Sequence, residues 1–309
     1  MLFRKHNSIL LCTLLLMLPR LHPAGAQLIA CESFAGPAGP LDGSDGGIGW
    51  VSTWQDRGSS IATLIEAGGL THSGLASLPG GAVSEPGYPP ESAALTRSFE
   101  YAAPRDGRVF VSFLYRPEDG YGTFGGLRLG PDAHSILVGT PRDEFRYGMK
   151  MDAGAGASSN VDVEVGVAVF LVVEIRAIEA PARTVHRLFV NATPGAPQPA
   201  QADAELIIPG MCALPSNIEL ANDGGVTTDE IRIGYTWRDV TPTPALLGDM
   251  DCDGALTNFD IDPFTLSLTA PAEYEIAFPH CNREHADLNG DGAVDNFDID
   301  PFVALLMND

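Results

Sequence analysis

The chain is almost without lysine. Only Lys5 and Lys150 occur, and Lys and Arg together number 18 against 40 Asp and Glu, a formal charge of −22 over 309 residues. The deficit is concentrated at the end: residues 248–309 hold fourteen acidic side chains and one basic one, Arg283. A field of that sign repels nucleic acid and anionic membrane surfaces and draws cations. Long apolar runs are missing too. The best stretches, residues 9–18 and 165–175, are too short to cross a bilayer as a helix. Residues 9–18 follow Arg4 and Lys5 and lead to "PAGA" ending at Ala26. That layout predicts a secretory signal peptide over 1–26 and an exported mature chain.

Cysteine is scarce, and no CxxC or Cys/His cluster is present, which argues against a thiolate zinc site. With Cys12 in the signal segment, Cys31, Cys212, Cys252 and Cys281 remain. An even number in an exported chain implies disulfides with three connectivities, of which Cys31–Cys212 and Cys252–Cys281 is the simplest, with buried free thiols as the alternative for the first pair. "LIAC" at 28–31 resembles the lipobox of bacterial lipoproteins, in which the cysteine is acylated, but Pro19, Arg20, His22 and Pro23 separate it from the apolar run. G-x-S-x-G and HExxH are absent, and His72, His134 and His186 stand apart without partners in the sequence.

What the chain has in quantity is glycine (34), proline (24) and short apolar alternation. "RVFVSFLYRP", "GLRLG", "HSILVG", "TVHRLFVN", "NIELAND" and "DEIRIGYTW" alternate with period two between Gly, Pro, Asp and Asn punctuation, so each predicts a strand with one buried face. "VGVAVFLVVEI" lacks the alternation and predicts a strand covered on both faces, or two in succession. Ten or more strands with no convincing helix between them predict two antiparallel sheets packed face to face over residues 27–240.

"ESFAGPAGPLDGSDGGIGWVSTWQD" and "DEIRIGYTWRDVTP" resemble the opening and closing strands of concanavalin A-like, laminin-G-like jelly-roll domains of exported bacterial proteins. That family includes lectins, glycan-binding modules, glycosidases and structural units, so the resemblance implies a fold and leaves open polysaccharide binding and glycoside hydrolysis. Hydrolysis needs paired carboxyl groups. Asp162 and Glu164 share a strand face in "VDVEV", but the longer Glu-x-Asp-x-x-Glu pattern of the family's hydrolases is not there. Trp50, Trp54 and Trp237 suit either a sugar-stacking platform or aromatic core packing. "NAT" at 191–193 is a glycosylation sequon where a host reads it.

After "TPTPA", within a Thr-Pro linker over 241–247, the acidic tail repeats itself: "DMDCDGALTNFDIDPF" at 249–264 and "DLNGDGAVDNFDIDPF" at 287–302. An EF-hand loop takes oxygen ligands at positions 1, 3, 5, 7, 9 and 12 with Gly at position 6. The second copy supplies Asp287, Asn289, Asp291, Ala293 (through its backbone), Asp295 and Asp298 around Gly292. The first supplies Asp249, Asp251, Asp253, Ala255, Thr257 and Asp260 around Gly254, with Thr257 the weaker donor. A solvated acidic run would not repeat carboxylate, glycine and apolar residue in phase, so two calcium ions are the predicted cofactors. "DPFTLSL" and "DPFVALLM" then predict short helices with an Asp cap and Pro at the first helical position, or helices beginning a turn earlier.

Residues 248–309 resemble the dockerin family, whose paired loop-helix repeats bind calcium and dock onto cohesin modules. The resemblance implies a small α-helical EF-hand domain after the mainly β sandwich, and a cohesin-like or other cell-surface protein as partner. Partner choice in the family lies just after position 9, here Asn258–Phe259 and Asn296–Phe297, where the family often has a hydroxyl pair. The long insert "TAPAEYEIAFPHCNREHA" also departs from the family. The expectation is therefore an exported, non-catalytic calcium-binding protein attached through its tail to a surface or assembly, with a polysaccharide-degrading enzyme recruited by the same tail as the alternative.

Overall fold

A computed structural model describes residues 28–59, 62–85, 93–101, 104, 106–119, 122, 124–130, 135–142, 145–151, 154–210, 214–243, 246–278 and 281–308. Residues 1–26, where a signal peptide is expected, lie outside the described residues, as do Cys212 and His134.

The alternating segments form two antiparallel sheets. One runs, in hydrogen-bonded order, Ala204–Pro209, Ala182–Val190, Val169–Glu179, Arg108–Pro117, Val226–Gly234, Gly81–Glu85, Leu64–Ala67, Gly39–Pro40, and Leu28–Glu32 also pairs with Val226–Gly234. The other runs Gly156–Asp162, Arg146–Met151, Ile136–Thr140, Gly125–Leu129, Asn217–Asn222, Ala93–Ser98, Gln55–Asp56. Inward side chains of both sheets share one core, in which Val109, Val111 and Phe113 from the first meet Leu127, Ile218 and Leu220 from the second. The chain is thus mainly β, an antiparallel jelly-roll sandwich followed by short C-terminal helices. Its first and last strands lie side by side, with Leu28 opposite Gly234 and Cys31 opposite Arg232.

Val169–Glu179 is one strand covered on both faces. Val169, Leu171, Val173 and Ile175 enter the inter-sheet core. Phe170 and Val172 enter a second cluster on the outer side, with Leu70, Leu75, Phe189, Trp237 and Val240. The segment around residues 70–75 and the short helix Trp237–Val240 supply that outer cover, which explains why this strand shows no alternation.

The last strand bends at a bulge between Asp229 and Arg232, where Glu230 adopts φ +52°. On one side of the bulge Gly81–Glu85 pairs with residues 226–228; beyond it Leu28–Glu32 takes over. The bulge therefore lets two strands share one edge.

The acidic tail has a separate core of Met250, Phe264, Tyr274, Ala286 and Phe302. Phe264 and Phe302 occupy the same place in the two repeats and stack face to face, 4.0 Å between centroids and 5° between planes. The insert between the repeats folds as a helix, Pro271–Ala277, and a 3-10 turn, Arg283–Ala286.

Candidate metal centre

Each acidic loop is held open by its own backbone. In the first, Asp249 Oδ2 accepts the Gly254 N–H at 2.8 Å, and its Oδ1 accepts that of Asp253 at 3.0 Å. In the second, Asp287 Oδ2 accepts from Gly292 at 2.9 Å and its Oδ1 from Asp291 at 3.2 Å. Position 3 accepts from position 5 in both, Asp251 from Asp253 at 3.0 Å and Asn289 from Asp291 at 2.8 Å. Position 5 accepts from position 7, Asp253 from Ala255 and Asp291 from Ala293, each at 2.9 Å. These bonds curl each loop into a tight turn, which closes because Gly254 and Gly292 hold φ near +86° and +85°.

Position 12 is buried in both copies. Asp260 Oδ1 accepts from Met250 and Asp251, and Asp298 Oδ1 from Leu288 and Asn289. Their Oδ2 atoms accept from Thr257 and Asp295 respectively, while those two side chains accept from Phe259 and Phe297. These reciprocal pairs are capping boxes, and they correct the expectation of an Asp262 or Asp300 cap with Pro at the first helical position. A 3-10 turn starts inside each loop and runs into helices Ile261–Thr269 and Ile299–Asn308, the earlier of the two starts the sequence allowed. Pro263 still falls in the first turn, where a missing N–H costs no helical bond.

Asp249, Asp251 and Asp253 bring ligand oxygens within 4.8 Å of one another. Burial pushes the Asp249 carboxyl up to about 6, and the neighbouring charges of Asp260 and Asp251 add to the rise. Asp251 is raised by burial and then by Asp260 and Asp253. The Tyr274 phenol, whose Oη donates to the Met250 carbonyl at 3.0 Å, is raised by burial and by the same aspartates. Such mutual repulsion among oxygen donors, with no soft ligand present, fits a hard divalent cation. A carboxylate oxygen that accepts one N–H keeps a lone pair for it. Thr257 and Asp295 spend one acceptor position each as caps.

Cys252 and Cys281 form a disulfide with Cα atoms 5.8 Å apart, tying the first loop to the segment before the second. Of the other expected pair, Cys31 is a buried free thiol opposite Arg232, its strand held by backbone pairing with Ile48, while Cys212 lies outside the described residues. Burial raises its pKa.

Three contacts of the tail were not read from the sequence. Arg283 donates from Nε to the Ser267 carbonyl at 2.8 Å and from Nη2 to the Val294 carbonyl at 3.0 Å, clamping the end of one helix to the opposite loop. Its status as the one basic residue among the tail's fourteen acids was the available signal. Tyr274 props the first loop from below, as noted. Arg238, from the sandwich, approaches Asp253 to 3.7 Å. Thr241 and Pro242 accept backbone hydrogen bonds from Gly195 and Ala76, so the start of the linker lies on the sandwich.

Asn258 and Asn296 are exposed, and Phe259 and Phe297 are 71% and 69% exposed. They form a matched pair of projecting rings. In the sandwich, Asp162 is exposed and pairs with Arg146 at 3.1 Å, while Glu164 is exposed beyond the end of the same strand. The tryptophans take the core alternative: Trp54 is fully buried, Trp237 is buried edge-on against Phe110 and Phe189, and half-buried Trp50 donates to the Cys31 carbonyl. His72 packs near Phe170, and His186 is buried. The Asn191 side chain accepts from the Phe170 N–H.

No family model matches the chain, and no match was found among curated proteins. Solved structures similar to it include domain 4 of AbnA, an extracellular arabinanase of Geobacillus stearothermophilus, in complex with arabinotriose, at 15% identity and TM-score 0.37 over 70% of this chain and 98% of that one. Lectin II from Ulex europaeus aligns at 10% identity and TM-score 0.32, covering 59% of this chain and 91% of the lectin. The exoplasmic/lumenal domain of VIP36, in a Ca2+/Man3GlcNAc-bound form, aligns at 10% identity and TM-score 0.33, with 59% and 83% covered.

Proposed function

We propose that this chain is an exported, non-catalytic protein whose C-terminal dockerin-like module binds two calcium ions and attaches a glycan-reading β-sandwich to a cell surface or extracellular assembly. The carrying observation is the repetition of one hydrogen-bond scheme, 38 residues apart, in two loops whose sequences each carry four carboxylates. Calcium supplies the charge that lets those carboxylates remain ionised side by side. The chain's own residues do the rest: glycines set the ring, backbone N–H groups aim the carboxylates, and the capping boxes start a helix from each loop. The 3-10 turn ahead of each helix then presents Phe259 and Phe297 outward, which suits a cohesin-like partner that buries a pair of aromatic anchors. The glycan arm rests on the resemblance of the sandwich's two ends to concanavalin A-like domains, and retention of the chain on polysaccharide columns checks it.

The test of the calcium reading is a calorimetric titration of the purified chain. Two ions should be taken up, with Asp249→Asn and Asp287→Asn each removing one. Lack of uptake at millimolar calcium would overturn the proposal. Attachment is checked by retention on the producer's envelope fraction, which Phe259→Ala with Phe297→Ala should abolish while calcium uptake persists.

A further inference from the structure

A cavity of about 530 Å³ lies where the sandwich meets the first acidic loop, a size suited to a small organic ligand. Leu28, Ile48 and Leu78 give it apolar wall, and Arg232 and Arg238 give it guanidinium groups. Arg232 is 2% exposed. Its Nη2 serves Glu230 at 2.7 Å and the Ala76 carbonyl, but Nη1 is buried with no hydrogen-bond partner among the described residues. A buried donor left unpaired in a native fold calls for an acceptor.

Carboxylates in the wall do not supply that acceptor. Asp239 Oδ2 is engaged by the Tyr235 and Thr236 N–H groups, at 2.9 and 2.8 Å. Asp249 is engaged by Asp253 and Gly254 within its loop. The third, Asp253, faces Arg238 at 3.7 Å. The unpartnered donor in the wall is therefore on Arg232, with Arg238 held by Asp253, and the planar fork of an arginine matches a carboxylate better than a hydroxyl.

We infer that this cavity binds a small carboxylate-bearing ligand of sugar-acid size, and that cation loading of the first loop opens the site to it. The coupling rests on the calcium reading above. Asp253 is both the loop's fifth-position donor and the ion partner of Arg238. Drawn onto a cation, Asp253 releases Arg238 toward the cavity.

The probes are D-galacturonate and D-galactose, which differ only in carrying a carboxylate or a CH2OH on the same ring. Each is titrated calorimetrically into the full chain, with and without calcium, and calcium uptake is measured on the same samples. With calcium bound, galacturonate should bind at least about tenfold more tightly than galactose. Removing calcium, or the substitution Arg238→Gln, should weaken galacturonate by a similar factor, with the variant's thermal midpoint confirming that it folds. The inference is overturned by equal affinity for the two sugars, by unaltered binding to Arg238→Gln, or by absence of galacturonate binding in chain that has taken up calcium. Should calcium not bind at all, the calcium reading and the coupling fall together. Galacturonate binding that Arg238→Gln abolishes would still uphold the cavity as the site.

Discussion

Charged side chains in the sandwich core set the sharpest requirements at the scale of single residues. Arg97 and Glu32 form a fully buried ion pair, and Glu32 also accepts from the Phe34 backbone and the Trp54 indole while Arg97 lies 4.9 Å over the Trp50 ring. Removing one partner strands the other charge in a low-dielectric site. Arg97→Met should therefore destabilise the sandwich by about 3–5 kcal/mol, read from urea unfolding, and a loss below about 1 kcal/mol would show that Glu32 is satisfied without it. His186 sets a pH limit. Burial lowers its pKa from 6.5 to about 4. The unfolded chain binds this proton first as pH falls, so stability held above 6.5 is lost between 6.5 and about 4, on the order of 3 kcal/mol in all. His186→Phe cannot take the proton, so it should lose that much less stability than wild type between pH 7.5 and 4. Parallel pH profiles for the two proteins would refute this.

At the scale of elements, legibility depended on whether one segment carried its own pattern. The acidic loops did, because ligand spacing, glycine and apolar position are all set within twelve residues. The last strand did not. By alternation Glu230 and Arg232 fall on the polar face of "DEIRIG", yet both are buried, as is Asp229, since the backbone N–H of Leu70 reaches Asp229 and that of Leu78 reaches Glu230, each at 2.7 Å. That cover comes from about 150 residues upstream, in a stretch without periodicity, and no local pattern foretells it. Burial and the charge of Glu230 push Asp229 up to about 7 in consequence. The tryptophans stayed open between platform and core for a related reason, since composition does not say which side of a sheet an indole faces. The disulfide is the element whose energetic role can be isolated. Its cysteines are 29 positions apart, which in the chain-entropy model favours the folded tail by about 3.5 kcal/mol. Cys252→Ser with Cys281→Ser should lower the tail's melting temperature and weaken the proposed calcium uptake of the first loop more than that of the second, because Cys252 lies inside the first loop. Equal weakening at both sites would mean that the bridge acts on the module as a whole.

Across the whole molecule the two cores do not merge: the tail's cluster of Met250, Phe264, Tyr274, Ala286 and Phe302 is distinct from both clusters of the sandwich. What joins the parts is polar and thin. The Arg238–Asp253 pair is one link, and Thr243 against Gly254 is another, where an added Cβ would meet the threonine hydroxyl at 2.8 Å. A tail of 62 residues buries little apolar surface and carries fourteen acids. Without a cation its folding must overcome the repulsion among Asp249, Asp251, Asp253 and Asp260. Calcium that binds only the folded tail raises its stability by about 2.7 kcal/mol at a hundred times the dissociation constant, so its melting should track calcium while that of the sandwich should not. Differential scanning calorimetry at fixed ionic strength should show two transitions, with chelation moving the smaller one down and leaving the larger within a degree or two. A single transition that moves as one with calcium would mean that the thin contacts couple the parts more strongly than their separate cores imply. Two transitions that both ignore calcium would remove the metal from the account of how this tail folds.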